Sequence, residues 1–93
     1  MPSRPLRAPV RIDGKIAAQL GVRGWTEQEI RDAVAGPAIG TSADNTRGQT
    51  DPATVYGSKA GGYVVVNDIT NHVVQISDRN DLGWVPDSRI KWI

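Results

Sequence analysis

Eight of the eleven cationic side chains in this 93-residue chain are arginines, and a guanidinium is the side chain best shaped to fork onto a phosphate. Their placement is uneven. Residues 1–31 carry Arg4, Arg7, Arg11, Lys15, Arg23 and Arg31 against Asp13, Glu27 and Glu29, whereas the rest of the chain carries five cations against seven carboxylates. A cationic N-terminal third on a chain of net charge +1 suits contact with a polyanion such as RNA backbone, although an ordinary mixed surface has the same charge signature. Trp84 lies in a stretch rich in glycine and aspartate, where an indole is available to stack on a base. Asp44, Asp78 and Asp81 are carboxylates able to read a guanine edge, with turn capping as their ordinary alternative role.

Other chemistries are closed to this composition. Without cysteine there is neither a disulfide nor a thiolate metal site. A single histidine, His72, removes the paired-histidine acid/base scheme and any histidine-rich zinc site. His72 sits beside the Thr70-Asn71 turn and is expected to be exposed and inert. No metal or cofactor is expected. No apolar run approaches the ~20 residues of a membrane helix, and no signal-peptide pattern opens the chain, so a soluble domain without membrane insertion is expected.

The elements that must position these residues begin with an arm. Pro2, Pro5 and Pro9 predict an extended arm or linker over residues 1–10, leaving residues 11–93 as a single domain. Ile12, Ile16 and Leu20 recur at i, i+4 and i+8, the stripe of a helix that Gly21 stops. Thr26 and Glu29 form a capping box, with Trp25 and Ile30 placed as a hydrophobic staple and Gly36-Pro37 as the end of that second helix. From Gly36 to Pro52 there is no periodicity, so a loop is expected with Asp44 and Arg47 near its tip. Ala53 to Tyr56 reads as a short strand, Tyr63 to Asn67 as a central strand buried on both faces, and Val73 to Ser77 as its return. Arg89 to Ile93 alternates as a last strand. The fold class is α+β: two short N-terminal helices packed on a small antiparallel meander of three to four strands.

Collinear blocks across residues 12–93 then point to one family. They are Gly14-Lys15-Ile16, Arg23-Gly24-Trp25-Thr26-Glu27, Gly40-Thr41-Ser42, Asn67-Asp68, Gln75-Ile76-Ser77-Asp78, Asn80-Asp81, Gly83-Trp84-Val85 and Asp87-Ser88-Arg89-Ile90. Together they resemble the C-terminal ribonuclease domain of colicin E type five and the related domains that end contact-dependent inhibition toxins. The resemblance implies a bacterial toxin that cuts tRNAs for Tyr, His, Asn and Asp between the first two anticodon nucleotides, without metal, leaving a 2′,3′-cyclic phosphate. It implies a domain delivered into the cytoplasm of a target bacterium and blocked by an acidic immunity protein. A monomer is expected. By motif, the resemblance assigns catalysis to Lys15 and Arg23, and substrate contact to Trp84 and Ile76. The family pattern also implies a longer, lysine- and proline-rich insert between Ser42 and Asp51. Here Arg47 is the cation of that segment, and it joins Asp44 and Asp78 as a candidate substrate contact. Two alternatives stand beside this: a toxin ribonuclease with other RNA selectivity, and a catalytically silent RNA- or protein-binding module.

Overall fold

The computed structural model describes residues 9–93. The expected arm lies largely outside them. Of its last two residues, Pro9 is exposed and Val10 is buried in the core.

Helix α1 spans Gly14–Gln19 and starts where Asp13 caps it, the Asp13 carboxylate accepting from the Ile16 amide at 3.1 Å. Helix α2 spans Glu27–Ala35 behind a complete capping box. Thr26 Oγ1 accepts from the Glu29 amide at 3.1 Å and Glu29 Oε1 from the Thr26 amide at 3.0 Å, which satisfies two of the helix's orphan donors. Trp25 and Ile30, on either side of the cap, are both buried in one cluster. Among the described residues no helix is long and apolar enough to cross a membrane.

Five strands follow: β1 Ala38–Asp44, β2 Asp51–Ser58, β3 Gly62–Asn67, β4 Val73–Ile76 and β5 Lys91–Trp92. They form one antiparallel sheet in the order β4-β3-β2-β1-β5. The sheet has one strand more than the three to four expected, and its layout corrects two further expectations. The segment expected as a loop from residue 36 to 52 contains β1, paired with β2 from Ala38↔Tyr56 to Asp44↔Asp51. The last strand does not continue the meander beside β4 but crosses to the opposite edge and pairs with β1 at Gly40↔Trp92. Gly40 permits that approach: a Cβ there would sit 2.9 Å from the Lys91 carbonyl oxygen.

The sheet is covered on both faces. Val64, Val66 and Tyr56 point toward the helices, packing with Ile16, Trp25, Ile30 and Ile76. Tyr63, Val65 and Val55 point the other way, to Ile90 and the half-buried Trp84 and Trp92. That division explains why β3 is an almost unbroken apolar run: neighbouring side chains enter different cores. It leaves β4 as an edge strand, with α1 packed against it and residues 21–24 at its end.

Candidate active site

Two groups of side chains border β4. The first surrounds Lys15. Ile16 is sunk in the core and fixes the first turn of α1, which leaves its neighbour Lys15 exposed. Lys15 borders a cavity of about 340 Å³ with Asp13, Asp44, Arg47, Thr70 and His72, and the wall beneath is Val73 and Val74 of β4. Among the described residues no carboxylate forms an ion pair with Lys15.

The second group is built on Arg23. Its backbone is pinned at both ends: the Arg23 amide donates to Gln19 at 2.9 Å and its carbonyl accepts from the Arg79 amide at 2.9 Å. Gly24, at φ 76°, lets the chain reverse there, and a Cβ on it would meet Asn80 Oδ1 at 3.0 Å. The Arg23 guanidinium donates to the Ile76 carbonyl at 2.8 Å and lies 5.2 Å from the centroid of the Trp84 ring. Trp84 is in turn fixed by its indole N–H, which donates to the hydroxyl of the buried Tyr63 at 3.1 Å. Only one of the five guanidinium donors is used on Ile76, so the fork keeps donors for an anion.

The Lys15 cavity reaches Val74 and Arg23 binds at Ile76. Along β4 those two positions lie about 7 Å apart. The other candidates divide. Arg47 joins Lys15 at the cavity and pairs with Asp51 at 3.3 Å. Asp44 is not at a loop tip: it ends β1 and is buried, its oxygens accepting from Thr46 and from Asn67 at 2.8 Å. The Ile76 side chain is fully buried in the core, and the atom it presents toward Arg23 is its carbonyl oxygen. Asp78 stands with Trp84 around a second cavity of about 550 Å³. His72, expected to be exposed, is half-buried beside Arg11 in an isolated parallel bridge.

Sequence reasoning missed the supports. Asn67 is fully buried and its amide donates to both Asp44 and Asp51, while its oxygen accepts from the Ile69 and Thr70 amides. Its signal was available: it is the polar residue that ends an apolar strand. Burial pushes the Asp44 carboxyl up, but bonds from Asn67 and Thr46 outweigh burial and hold it below the ordinary 3.8. Asn67 and Gln49 likewise hold Asp51 down, and Arg89 holds Asp87 down.

These depressed carboxyls fix the sign of acid sensitivity. Each binds its proton less tightly when folded than when unfolded, so it stabilises the fold above the unfolded value of about 4. That stabilisation is lost as pH falls through the folded values. The urea midpoint should therefore be flat from about pH 7 to 5 and drop steadily below about pH 4. A midpoint at pH 3 equal to that at pH 6 would contradict this.

Comparison with known proteins decides the family. A model of the colicin E5 ribonuclease domain matches residues 12–89. The chain belongs to the colicin E5 ribonuclease domain family. It is similar to the tRNA nuclease CdiA of Burkholderia pseudomallei, 55% identical across 89% of this chain and 7% of that protein. It is also similar to Colicin-E5 of Escherichia coli, 52% identical across 89% of this chain and 51% of that protein. The chain thus spans about half the length of one relative and a small part of the other. The family match covers both helices and the first four strands, and so both cation groups along β4.

Proposed function

We propose that this domain is a toxin endoribonuclease that cleaves tRNA within the anticodon loop. Its targets are the tRNAs for Tyr, His, Asn and Asp, cut between the guanine (or queuine) and the uracil that open the anticodon. The observation that carries this reading is the pair of cations flanking β4: Lys15 beside an open cavity, and Arg23 held by the Ile76 carbonyl against Trp84. The name of one relative, a tRNA nuclease, supports tRNA as the substrate class.

RNA supplies its own nucleophile, so this machinery has three tasks. The 2′-hydroxyl loses its proton and its oxygen attacks the adjacent phosphorus. The bond from phosphorus to the 5′-oxygen breaks, and that oxygen takes up a proton. The products are a 2′,3′-cyclic phosphate and a 5′-hydroxyl end. Arg23 clamps the doubly charged phosphorane, the electrostatic contribution that is usually largest. Lys15 moves the proton at one of the two oxygens. Trp84 stacks on a splayed base, which single-stranded anticodon nucleotides offer. The domain works in the cytoplasm of the target bacterium as a monomer, and an acidic immunity protein that covers the same cations silences it.

The deciding experiment incubates the purified domain with total tRNA in EDTA and maps every new 5′ end. Cuts confined to those four anticodons, undiminished by the chelator, are expected. Cuts spread across unrelated RNAs would reassign the substrate, and binding with no cleavage would make this a silent module.

A further inference from the structure

His72 is the chain's single histidine, and the cleavage steps above leave it unused. Its backbone is held from both sides. The His72 carbonyl accepts from the Asn67 amide at 2.9 Å, and its amide donates to Thr70 Oγ1 at 3.3 Å. Arg11 lies alongside in the parallel bridge, bonded through its backbone to Asn71 and Val73, each at 2.9 Å. The ring, in contrast, lines the cavity of about 340 Å³ that Lys15 borders, and is half-buried there. It makes no hydrogen bond or ion pair among the described residues. A polar ring on a fixed backbone, beside a cavity and with neither nitrogen bonded inside the protein, is placed to meet a ligand.

The charges set around that cavity cancel. Lys15 and Arg47 on its wall, and Arg11 bridged to His72, stand against Asp13, Asp44 and Asp51. Asp44 is closed to a ligand, because its oxygens accept from Thr46 and Asn67. One Asp13 oxygen caps α1, and Asp51 is paired with Arg47 at 3.3 Å. The imidazole therefore sets the sign. Histidine is the side chain whose charge changes between about pH 5 and 8. With its proton it gives the cavity a net positive charge and a second N–H donor. Thr70 adds another donor, since its hydroxyl oxygen takes the His72 amide and its own hydrogen is still available.

We propose that His72, together with Arg47 and Thr70, binds the RNA phosphate next to the cleaved one, and that a proton on the imidazole strengthens this contact. The inference rests on the ribonuclease reading above and adds a contact to it. Distance separates His72 from the linkage that Arg23 clamps: Arg23 is bonded at Ile76, four residues further on, up to about 13 Å along an extended strand. Lys15 borders the same cavity as His72, so an RNA backbone running from Arg23 past Lys15 brings its neighbouring phosphate to the imidazole. A dinucleotide that carries only the cleaved phosphate has nothing to place there.

The test measures kcat/KM at about pH 5.5 and about pH 8 in wild type and in His72→Gln, a change that breaks no side-chain bond among the described residues. One substrate is a guanosine–uridine dinucleotide whose single phosphate is the cleaved one, and the other is a full anticodon stem-loop. The ratio of the two cancels whatever pH does to the chemical step. In wild type the preference for the stem-loop should be about tenfold larger at the acid pH, the scale of one charged contact, and in His72→Gln it should change by less than about twofold. Binding gives a second readout. A stem-loop with 2′-deoxyguanosine at the cleaved step lacks the nucleophile, and its Kd should tighten about tenfold on acidification in wild type alone. A wild-type preference that is flat with pH, or one that shifts equally in His72→Gln, overturns the phosphate contact and leaves the ribonuclease reading standing. Failure of the wild type to cut either substrate overturns that reading, and this contact with it.

Discussion

Replacing Arg23 with lysine is expected to lower kcat/KM for tRNA cleavage about 10²–10³-fold without changing the far-UV circular dichroism. The conservative charge is not enough. A guanidinium donates to the Ile76 carbonyl, lies on the Trp84 ring and still has donors for a phosphate. An ammonium is one compact charge on a flexible stem and cannot satisfy those three directions together. Lys15→Ala should cost about 10²–10⁴-fold by a different route, because Lys15 is exposed and makes no ion pair among the described residues. The two alanine variants therefore separate in stability. Lys15→Ala should stay within about 0.5 kcal/mol of wild type, whereas Arg23→Ala should lose about 1 kcal/mol with its bond to the Ile76 carbonyl. Gel-based cleavage rates and urea titrations on the same preparations check both. More than a tenth of wild-type activity in both alanine variants would remove these residues from the chemistry.

How far the fold was legible depended on whether its cause was local. The capping box at Thr26 and Glu29 and the stripe of Ile16 and Leu20 act within one or two turns, so the helices could be read directly. The run from Tyr63 to Val66 announced a strand buried on both faces because each side chain must enter a core. Strand β1 was hidden. Apart from Ile39, Ala38 to Asp44 is a string of small and polar residues with no apolar alternation, and it is a strand because β2 and β5 pair with it from either side. The destination of β5 was hidden for the same reason, since no local signal distinguishes one sheet edge from the other. At the candidate site, motifs singled out Lys15, Arg23, Trp84 and Ile76, but not what holds them. The Ile76 side chain faces the core while its carbonyl takes Arg23, and Tyr63, chosen as a core residue, also fixes the Trp84 indole. A backbone acceptor has no sequence signature, and a buried hydroxyl reads as one more aromatic.

Asn67→Ala is expected to cost about 3–5 kcal/mol at pH 7, a large share of the roughly 5–15 kcal/mol that holds such a domain together. The side chain has no surface exposure, and its amide is shared between two buried carboxylates that face each other across β1 and β2. Alanine leaves Asp44 Oδ2 with an unmet acceptor in a place water reaches poorly and Asp51 Oδ2 with only its longer ion pair to Arg47, and it also releases the amides of Ile69 and Thr70. The damage falls on both walls of the Lys15 cavity, because Asp44 belongs to the hairpin on one side and Thr70 to the turn on the other. Cleavage should therefore fall even at temperatures where the variant is folded. The pH dependence gives the sharper check. Asn67 helps to hold the Asp44 and Asp51 carboxyls below their ordinary value, so its removal raises them. A raised folded value means that less stabilisation is present above about pH 4 and that less remains to be lost below it. The gap between wild type and variant in urea titrations should thus be widest near pH 7 and narrow toward pH 3. A gap under 1 kcal/mol at pH 7, or one that does not narrow with acid, would show that Asn67 fills space rather than binding the two aspartates together.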